Sequence, residues 1–346
     1  MGKIMPHLLV GLMLGVIAGS AKPGFAQSSA EFGWCVAETT DAPATQIKDC
    51  SAALETGRLE SQDRAAALTI RGRAYDRLGN YANALQDFDQ AIQLNPKNSS
   101  AFLLRGTLLG RRREFDRAIA DASEAIRLDP KLAAAFTNRG LAYVGKGEFD
   151  RAVADYNEAI QLDPNMAAAF NNRGFAHLLK RDYERAVADY SEAFRLNPKY
   201  ISAYNNRGNV RWFTGSHAQA IADYSEAIRL QPHDPVAWMG RCWTRALAGQ
   251  LPAALSDCDE LMRLMPNNAA AFATRGFAHL KSGQFDKAIA DYNAGLRIDP
   301  KNASALYGRG MAELKKNNAA RGNADIAAAT ALKANIADEF AQYGVR

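Results

Sequence analysis

Asparagines at regular spacing are the residues of this chain whose type and position best suit binding chemistry. The set comprises Asn138, Asn171, Asn172, Asn205, Asn206 and Asn209. Three of them, Asn138, Asn172 and Asn206, follow one another at intervals of 34 residues. An asparagine amide both donates and accepts hydrogen bonds, so it can pair with the N–H and C=O groups of an extended peptide backbone. Such a series would hold a ligand chain with little regard to its side chains.

Apolar and aromatic side chains accompany the asparagines along the same stretch, where they would add contact area to a bound ligand. They are Leu141, Phe175, Trp212, Phe213 and Trp243. Motifs of catalysis and metal binding do not occur: there is no GxxxxGK[ST], no nucleophile elbow, no HExxH and no CxxC. The sequence therefore predicts a binding protein with no enzymatic activity, no metal and no cofactor.

A repeat of 34 residues is the element that must position these side chains. Eight blocks follow one another from Ala65 to residue 336 without an insertion. The eighth position holds Gly72, Gly106, Gly140, Gly174, Gly208, Cys242, Gly276 and Gly310. The thirty-second position holds Pro96, Pro130, Pro164, Pro198, Pro232, Pro266 and Pro300. A fixed period of this length is typical of repeat architectures.

Each block is predicted to form two antiparallel helices. In block 133–166, Phe136, Gly140 and Tyr143 share one helical face, because their spacing is i, i+4, i+7. Ala152, Tyr156 and Ala159 repeat that spacing in the second half of the block. Glycines suit the turn between the helices, namely Gly79, Gly147, Gly215 and Gly283. The prolines end each second helix, since proline lacks the N–H donor.

The repeat resembles the tetratricopeptide repeat (TPR) family. Block 133–166 carries the family pattern in Phe136, Arg139-Gly140, Tyr143, Ala152, Tyr156 and Pro164. The resemblance covers residues 65–336. It implies an all-α fold, a right-handed α-solenoid of helix-turn-helix repeats with a concave groove lined by the first helices.

The resemblance also implies which positions face the groove: the second, fifth, sixth, ninth, twelfth and thirteenth. By this mapping the groove residues are Asn138, Asn171, Asn172, Asn205, Asn206, Asn209, Leu141, Phe175, Trp212 and Trp243. The alternative is that the asparagines hydrogen-bond locally or face water. A second binding mode of the family grips a C-terminal carboxylate with groove bases. It is disfavoured, because the fifth position holds no Lys, and bases at the thirteenth, such as Lys281, lie only near the two ends.

Two opposite charges replace apolar family residues in every block. The seventh position is Arg71, Arg105, Arg139, Arg173, Arg207, Arg241, Arg275 and Arg309. The twenty-third is Asp87, Asp121, Asp155, Asp189, Asp223, Asp257, Asp291 and Asp325. Because the arginine and the aspartate recur together in every block, we expect repeated Arg–Asp pairs, either within a repeat or between neighbouring repeats. A structural role is favoured over a basic ladder for acidic ligands.

The four cysteines are predicted to form two local disulfides. Cys242 and Cys258 hold the eighth and twenty-fourth positions of one block, which face each other across the helix pair. Cys35 and Cys50 have nearly the same separation. The alternative for Cys242 and Cys258 is two small buried thiols.

The ends of the chain are predicted to differ from the repeats. Residues 1–26 resemble a secretory signal peptide, with Lys3, an apolar run over 8–18 and a small-x-small site at 24–26. An uncleaved signal anchor is the alternative. Residues 27–64 are expected to form an N-terminal capping half-repeat, and 337–346 a C-terminal capping helix.

The charge balance gives little reason to expect nucleic acid as a ligand. The net charge at pH 7 is only +5. We therefore expect an exported, periplasmic scaffold or adaptor that binds a protein or an extended peptide in its groove; extracellular location is an alternative. Membrane contact would come only through a complex. The alternative function is a structural or assembly component of a cell-envelope complex, such as polysaccharide export or outer-membrane assembly.

Overall fold

The computed structural model describes residues 32, 33, 35 and 42–345. The predicted signal segment, residues 1–26, lies outside the described residues. The described chain divides into two compact units, which meet in sequence between Asp182 and Tyr183. Each unit is described by itself below.

Every described element is an α-helix, as the sequence predicts. In the N-terminal unit these are α1 Pro43–Glu55, α2 Ser61–Arg77, α3 Tyr81–Leu94, α4 Ser99–Arg111, α5 Phe115–Leu128, α6 Ala133–Lys146, α7 Phe149–Leu162 and α8 Ala167–Leu179. In the C-terminal unit they are α9 Tyr183–Leu196, α10 Ile201–Phe213, α11 His217–Leu230, α12 Pro235–Leu247, α13 Leu251–Leu264, α14 Ala269–Lys281, α15 Phe285–Ile298, α16 Ala303–Lys315, α17 Ala319–Leu332 and α18 Ile336–Gln342. Seven of the eight blocks lie entirely in one unit or the other, and each of the seven contains a helix pair. Block 167–200 has its two helices in different units.

A left-handed residue at the fifteenth position of each block makes the turn between the two helices. Gly79, Gly147, Gly215 and Gly283 have φ between 72° and 82°, as predicted for the turn glycines. Arg113, Arg181 and Asn317 hold the same place in three other blocks, with φ of 61–64°. The backbone therefore keeps one turn conformation even where glycine is missing, at a steric cost to the residues that carry a Cβ.

Close packing of glycine against an aromatic ring joins the two helices of a repeat. A Cβ added to Gly140 would lie 2.7 Å from the ring of Tyr156, and one added to Gly208 would lie 2.8 Å from the ring of Tyr224. Both tyrosines are almost completely buried. The eighth position is therefore small because the ring of the twenty-fourth position fills the space beside it.

The charged pairs form within a repeat. Arg139 donates from Nε and Nη2 to the two carboxylate oxygens of Asp155, at 2.8 and 2.7 Å. The same two-pronged contact joins Arg71–Asp87, Arg105–Asp121, Arg207–Asp223, Arg241–Asp257, Arg275–Asp291 and Arg309–Asp325. Each of these aspartates is buried or nearly so. Because each of these seven arginines has its own aspartate, they do not form a free basic ladder for acidic ligands.

Both cysteine pairs lie at disulfide distance, in the connectivity that the spacing predicts. The Cα atoms are 4.5 Å apart for Cys35–Cys50 and 5.5 Å apart for Cys242–Cys258. In block 235–268, Cys242 and Cys258 take the places of the packed glycine and tyrosine. The disulfide thus replaces ring packing as the contact between α12 and α13.

No helix in the part of the chain that the structure describes is both long and apolar enough to span a bilayer.

Candidate functional site: an aromatic cleft in the C-terminal unit

A cavity of about 480 Å³ opens in the C-terminal unit and is the candidate site. Its walls come from the first helices α10, α12, α14 and α16 and from residues that follow α17. Trp212, Phe213, Trp243 and Phe277 supply the aromatic lining, and we call the cavity the aromatic cleft. Most residues of the cleft on the first helices hold positions two, five, six, nine, twelve or thirteen of their blocks. These are the positions that the family resemblance assigns to the groove.

Stacked rings form the floor of the cleft. Trp243 and Phe277 are the ninth residues of successive blocks, and their ring centroids lie 4.2 Å apart. Successive first helices present the same position to the same face, so the repeat itself brings the two rings together. Trp212 lies one repeat earlier, beside Phe213 with centroids 6.4 Å apart. The rings provide a large rigid apolar surface at low entropic cost, the property that makes tryptophan frequent in binding hot spots.

Three buried donors in the cleft lack an acceptor. The indole Nε1 of Trp212, the indole Nε1 of Trp243 and the hydroxyl of Tyr292 have no hydrogen-bond partner within the described chain. Burial raises the pKa of Tyr292 well above its ordinary value, so its hydroxyl keeps its proton and remains a donor. A buried donor without a partner is costly. The cleft therefore suits a ligand that is apolar in shape and carries hydrogen-bond acceptors.

The C-terminal residues of the chain form one wall of the cleft. We call residues 336–345 the C-terminal segment; it consists of α18 and the three residues between it and Arg346. The ring of Tyr343 meets Trp243 edge to face at 5.5 Å, and Phe340 lies 4.7 Å from Tyr307. The ammonium of Lys281 donates to the backbone carbonyl of Tyr343 at 2.8 Å. The predicted capping helix therefore also lines the cleft.

Electrostatic contacts in this wall are few. Lys333 and Glu339 form an ion pair at 2.6 Å. Burial, with a smaller contribution from the Glu339 carboxylate, raises the pKa of Tyr343 to about 12. Tyr343 is therefore neutral at physiological pH. The wall presents neutral aromatic rings with one lysine that contacts a backbone carbonyl.

The asparagines predicted for the groove in the N-terminal unit are buried. Asn138 donates to the Thr107 hydroxyl at 2.6 Å, and Asn171 donates to the side-chain oxygen of Asn172 at 3.3 Å. Asn172 is only 1 % exposed. Leu141 is half-buried and packs against the Tyr156 cluster, and Phe175 is buried. In the structure these amides make contacts within the unit. That they contact a ligand remains a prediction.

Asn205 and Asn209, predicted for the groove in the C-terminal unit, are engaged as well. Asn205 donates to the carboxylate of Asp234 at 2.6 Å, and Asn209 accepts from the hydroxyl of Tyr224 at 2.7 Å. Asp234 also accepts from the N–H of Val236 and so caps α12. The amide of Asn205 is thus linked to the start of the next repeat. Asn206 is half-buried.

The structure places Trp212 and Trp243 together in the cleft, as the position mapping anticipated. It adds Phe277 and Lys281 to the lining, and Tyr307 lies beside them through its contact with Phe340. The sequence analysis did not select these residues as ligand contacts, although they hold the ninth, thirteenth and fifth positions that the resemblance assigns to the groove. Phe340 and Tyr343 lie beyond the last block, where the period carries no positional information.

The described residues contain no cluster of three or more His, Cys, Asp or Glu side chains placed to hold a metal ion. His279 lies with its Nε2 3.7 Å from a carboxylate oxygen of Asp291. It therefore sits in the packing between α14 and α15.

Comparison with known proteins identifies the repeat. Profiles described as TPR repeat match residues 142–180, 179–215 and 278–317, and profiles described as tetratricopeptide repeat match 65–98 and 201–234. No curated protein matches the sequence.

Solved structures share the fold. The APC/C hetero-tetramer Cut9-Hcn1 aligns with 88% of this chain and 63% of its own, at 15% identity and a TM-score of 0.58. A tetratricopeptide repeat protein of Parabacteroides merdae aligns with 75% of this chain and 99% of its own, at 18% identity and a TM-score of 0.54. The Pseudomonas aeruginosa pilF structure aligns with 61% of this chain and 96% of its own, at 18% identity and a TM-score of 0.54. The helix pairs, the conserved turn geometry of the blocks and these matches agree: the chain is a tetratricopeptide-repeat protein.

Proposed function

We propose that this protein is a non-catalytic scaffold that binds a peptide segment of a partner protein in the aromatic cleft. Tetratricopeptide repeats are typically protein-interaction modules without catalytic activity. The observation that carries the proposal is the aromatic cavity itself, which Trp212, Trp243 and Phe277 line and beside which two indole N–H groups lack a partner.

A peptide meets the chemical demands of this cleft. Its backbone carbonyls are acceptors for the two indole N–H groups, and its apolar side chains would cover the stacked rings of Trp243 and Phe277. A volume of about 480 Å³ accommodates a few side chains, in the range of ordinary ligand pockets. A charged ligand is a poorer match, because the ammonium of Lys281 already contacts a carbonyl of the chain.

The experiment is a cross-linked pull-down with the mature full-length chain, comparing wild type with Trp212→Ala/Trp243→Ala. Trp238→Ala is the matched control, since the indole of Trp238 donates to the carbonyl of Pro232 and does not line the cleft. We expect wild type and the control to capture the same partner proteins and the double variant to lose them. Equal retention by all three proteins, with equal helicity, would place the interface elsewhere and refute the cleft as the binding site.

We further propose that the protein works in an oxidising compartment, as expected of a periplasmic protein. Both cysteine pairs lie at disulfide distance, and disulfides persist in exported proteins and are rare in reducing compartments. Cell fractionation, with thiol trapping of the native protein, tests this. Four freely alkylated cysteines in a cytosolic fraction would refute it.

A further inference from the structure

The C-terminal segment packs on the last block and also reaches past it. Helix α18 contacts α16 and α17, the two helices of block 303–336, as a further first helix would. The ring of Tyr343 also contacts Trp243, which belongs to block 235–268, two blocks before the last. The segment therefore caps the last repeat and extends along the first helices into the aromatic cleft.

Two aromatic rings and one carbonyl make the contacts inside the cleft. Phe340 lies 6.1 Å from Phe277 and 4.7 Å from Tyr307, and Tyr343 lies 5.5 Å from Trp243. Since Phe340 and Tyr343 are three residues apart at the end of a helix, they project from one face. The backbone carbonyl of Tyr343 accepts from Lys281.

The segment is held by its buried side chains more than by its helix. The helix α18 has only seven residues, and helices of this length are not stable alone in water. Ile336, Phe340 and Val345 are buried and pack in one core cluster with the last repeats. A ligand that displaces Phe340 and Tyr343 from the cleft must therefore replace this apolar burial.

We propose that the C-terminal segment is an intramolecular ligand of the aromatic cleft, and that the partner peptide carries the same feature. That feature is a helical turn with two aromatic residues three positions apart, followed by a free backbone carbonyl for Lys281. The partner binds by displacing Phe340 and Tyr343 from the rings of Trp243 and Phe277. This inference rests on the proposed function and names the ligand class of the same site.

The unfilled part of the cleft supports a partner that is longer than the segment. Beside the bound segment, a volume of about 480 Å³ remains, and Trp212 lies on its wall with an unpaired indole N–H. The described residues of the segment do not pair with that donor. A continuous peptide would cover both the stacked rings and Trp212, and so would compete effectively with the tethered segment.

The test is a binding titration with a fluorescein-labelled peptide of residues 333–346. The proteins are full-length wild type, Phe340→Ala/Tyr343→Ala, and that variant with Trp243→Ala added. We expect the peptide to bind the double variant at least about tenfold more tightly than wild type. The tethered segment competes in wild type at an effective concentration on the order of 1 mM. The added Trp243→Ala is expected to abolish binding, and a peptide with both aromatic residues replaced by alanine is expected not to bind.

Equal affinity for wild type and the double variant would overturn the proposal, as would undiminished binding of the alanine peptide. Absence of binding to the double variant at about 1 mM peptide would also overturn it, because the segment would then have no affinity of its own. The double variant must retain wild-type helicity by circular dichroism. If it does not, Tyr343→Ala alone takes its place, since that change removes the ring of the tethered segment that contacts Trp243 and leaves Lys281, Trp243 and Phe277 intact for the added peptide. We then expect at least about threefold tighter peptide binding than in wild type.

The outcomes for the two proposals are separable. Loss of partners by Trp212→Ala/Trp243→Ala in the pull-down, with no peptide binding in the titration, would retain the cleft as a binding site and refute the ligand class. Peptide binding without any cleft-dependent partner would refute the proposed function alone.

Discussion

Arg139 joins two successive repeats through a single guanidinium group. Its Nε and Nη2 contact Asp155, 16 residues later, and its Nη1 contacts the Ser123 hydroxyl, 16 residues earlier, at 3.2 Å. Equivalent Nη1 contacts join Arg71 to Ser51, Arg105 to Asp89, Arg173 to Asn157, Arg207 to Ser191, Arg241 to Ser225, Arg275 to Asp259 and Arg309 to Asn293. The arginine thus fixes the helix pair of one repeat and its register on the preceding second helix.

Loss of this arginine should be costly. Asp155 is 5 % exposed, so Arg139→Leu leaves a buried carboxylate without a counter-charge. We expect a loss of about 3 kcal/mol in the free energy of unfolding, measured by urea denaturation. The control is Arg127→Leu, because Arg127 pairs with Glu124 on the exposed surface, where water screens the two charges, and its loss should leave the urea midpoint nearly unchanged. Equal losses of unfolding free energy in the two variants would show that the buried pair contributes no more to stability than the exposed one.

A second prediction concerns the turn at Arg113. This residue has φ of 64°, which is unfavourable for a side chain with a Cβ, and it is exposed. Arg113→Gly should raise stability by about 0.5–1 kcal/mol, seen as a higher urea midpoint. Gly147→Arg is the reverse experiment: a Cβ there meets nothing within 4 Å, so a loss would come from the backbone alone. A gain for Gly147→Arg would contradict this account.

The disulfide in block 235–268 should stabilise the chain. Cys242→Ala/Cys258→Ala opens a loop of 16 residues between α12 and α13, and we expect a loss of about 3 kcal/mol. Thermal unfolding with and without reductant measures it, and intact mass gives the number of thiols. In this variant, the remaining effect of reductant should come from Cys35–Cys50 alone. If reductant leaves the melting temperature of wild type unchanged, the cross-link is not stabilising.

Stability should fall on acidification through His279. Desolvation by burial lowers its pKa, an effect that Asp291 opposes and that Arg275 and Lys287 reinforce. The unfolded chain therefore takes up the proton first, and stability is lost as pH falls below about 6.5. His279→Asn should lose less stability than wild type between pH 7 and pH 5. His233→Asn, at an exposed position, should behave as wild type. Identical pH profiles for wild type and His279→Asn would refute this assignment.

Local physics explains why much of the fold was predictable. The helix pairs follow from apolar residues at i, i+4 and i+7, and the turns from glycine where the backbone is left-handed. The partners Cys242 and Cys258 follow from positions eight and twenty-four, which pack as Gly140 and Tyr156 do in another block. Each of these features depends on positions that recur every 34 residues, so a single sequence shows the underlying pattern several times.

The sequence by itself determined the all-α repeat, its period, its turns and the recurring Arg and Asp positions, because all depend on spacing within one or two helices. Only the tertiary structure decided that Arg139 pairs within its own repeat, and that the amide of Asn205 is taken by Asp234. It also decided that Tyr343 lies against Trp243. The last contact joins residues 100 positions apart in a segment outside the repeat. Its position depends on how the rings of the first helices pack, and a period read along the chain carries no information about that.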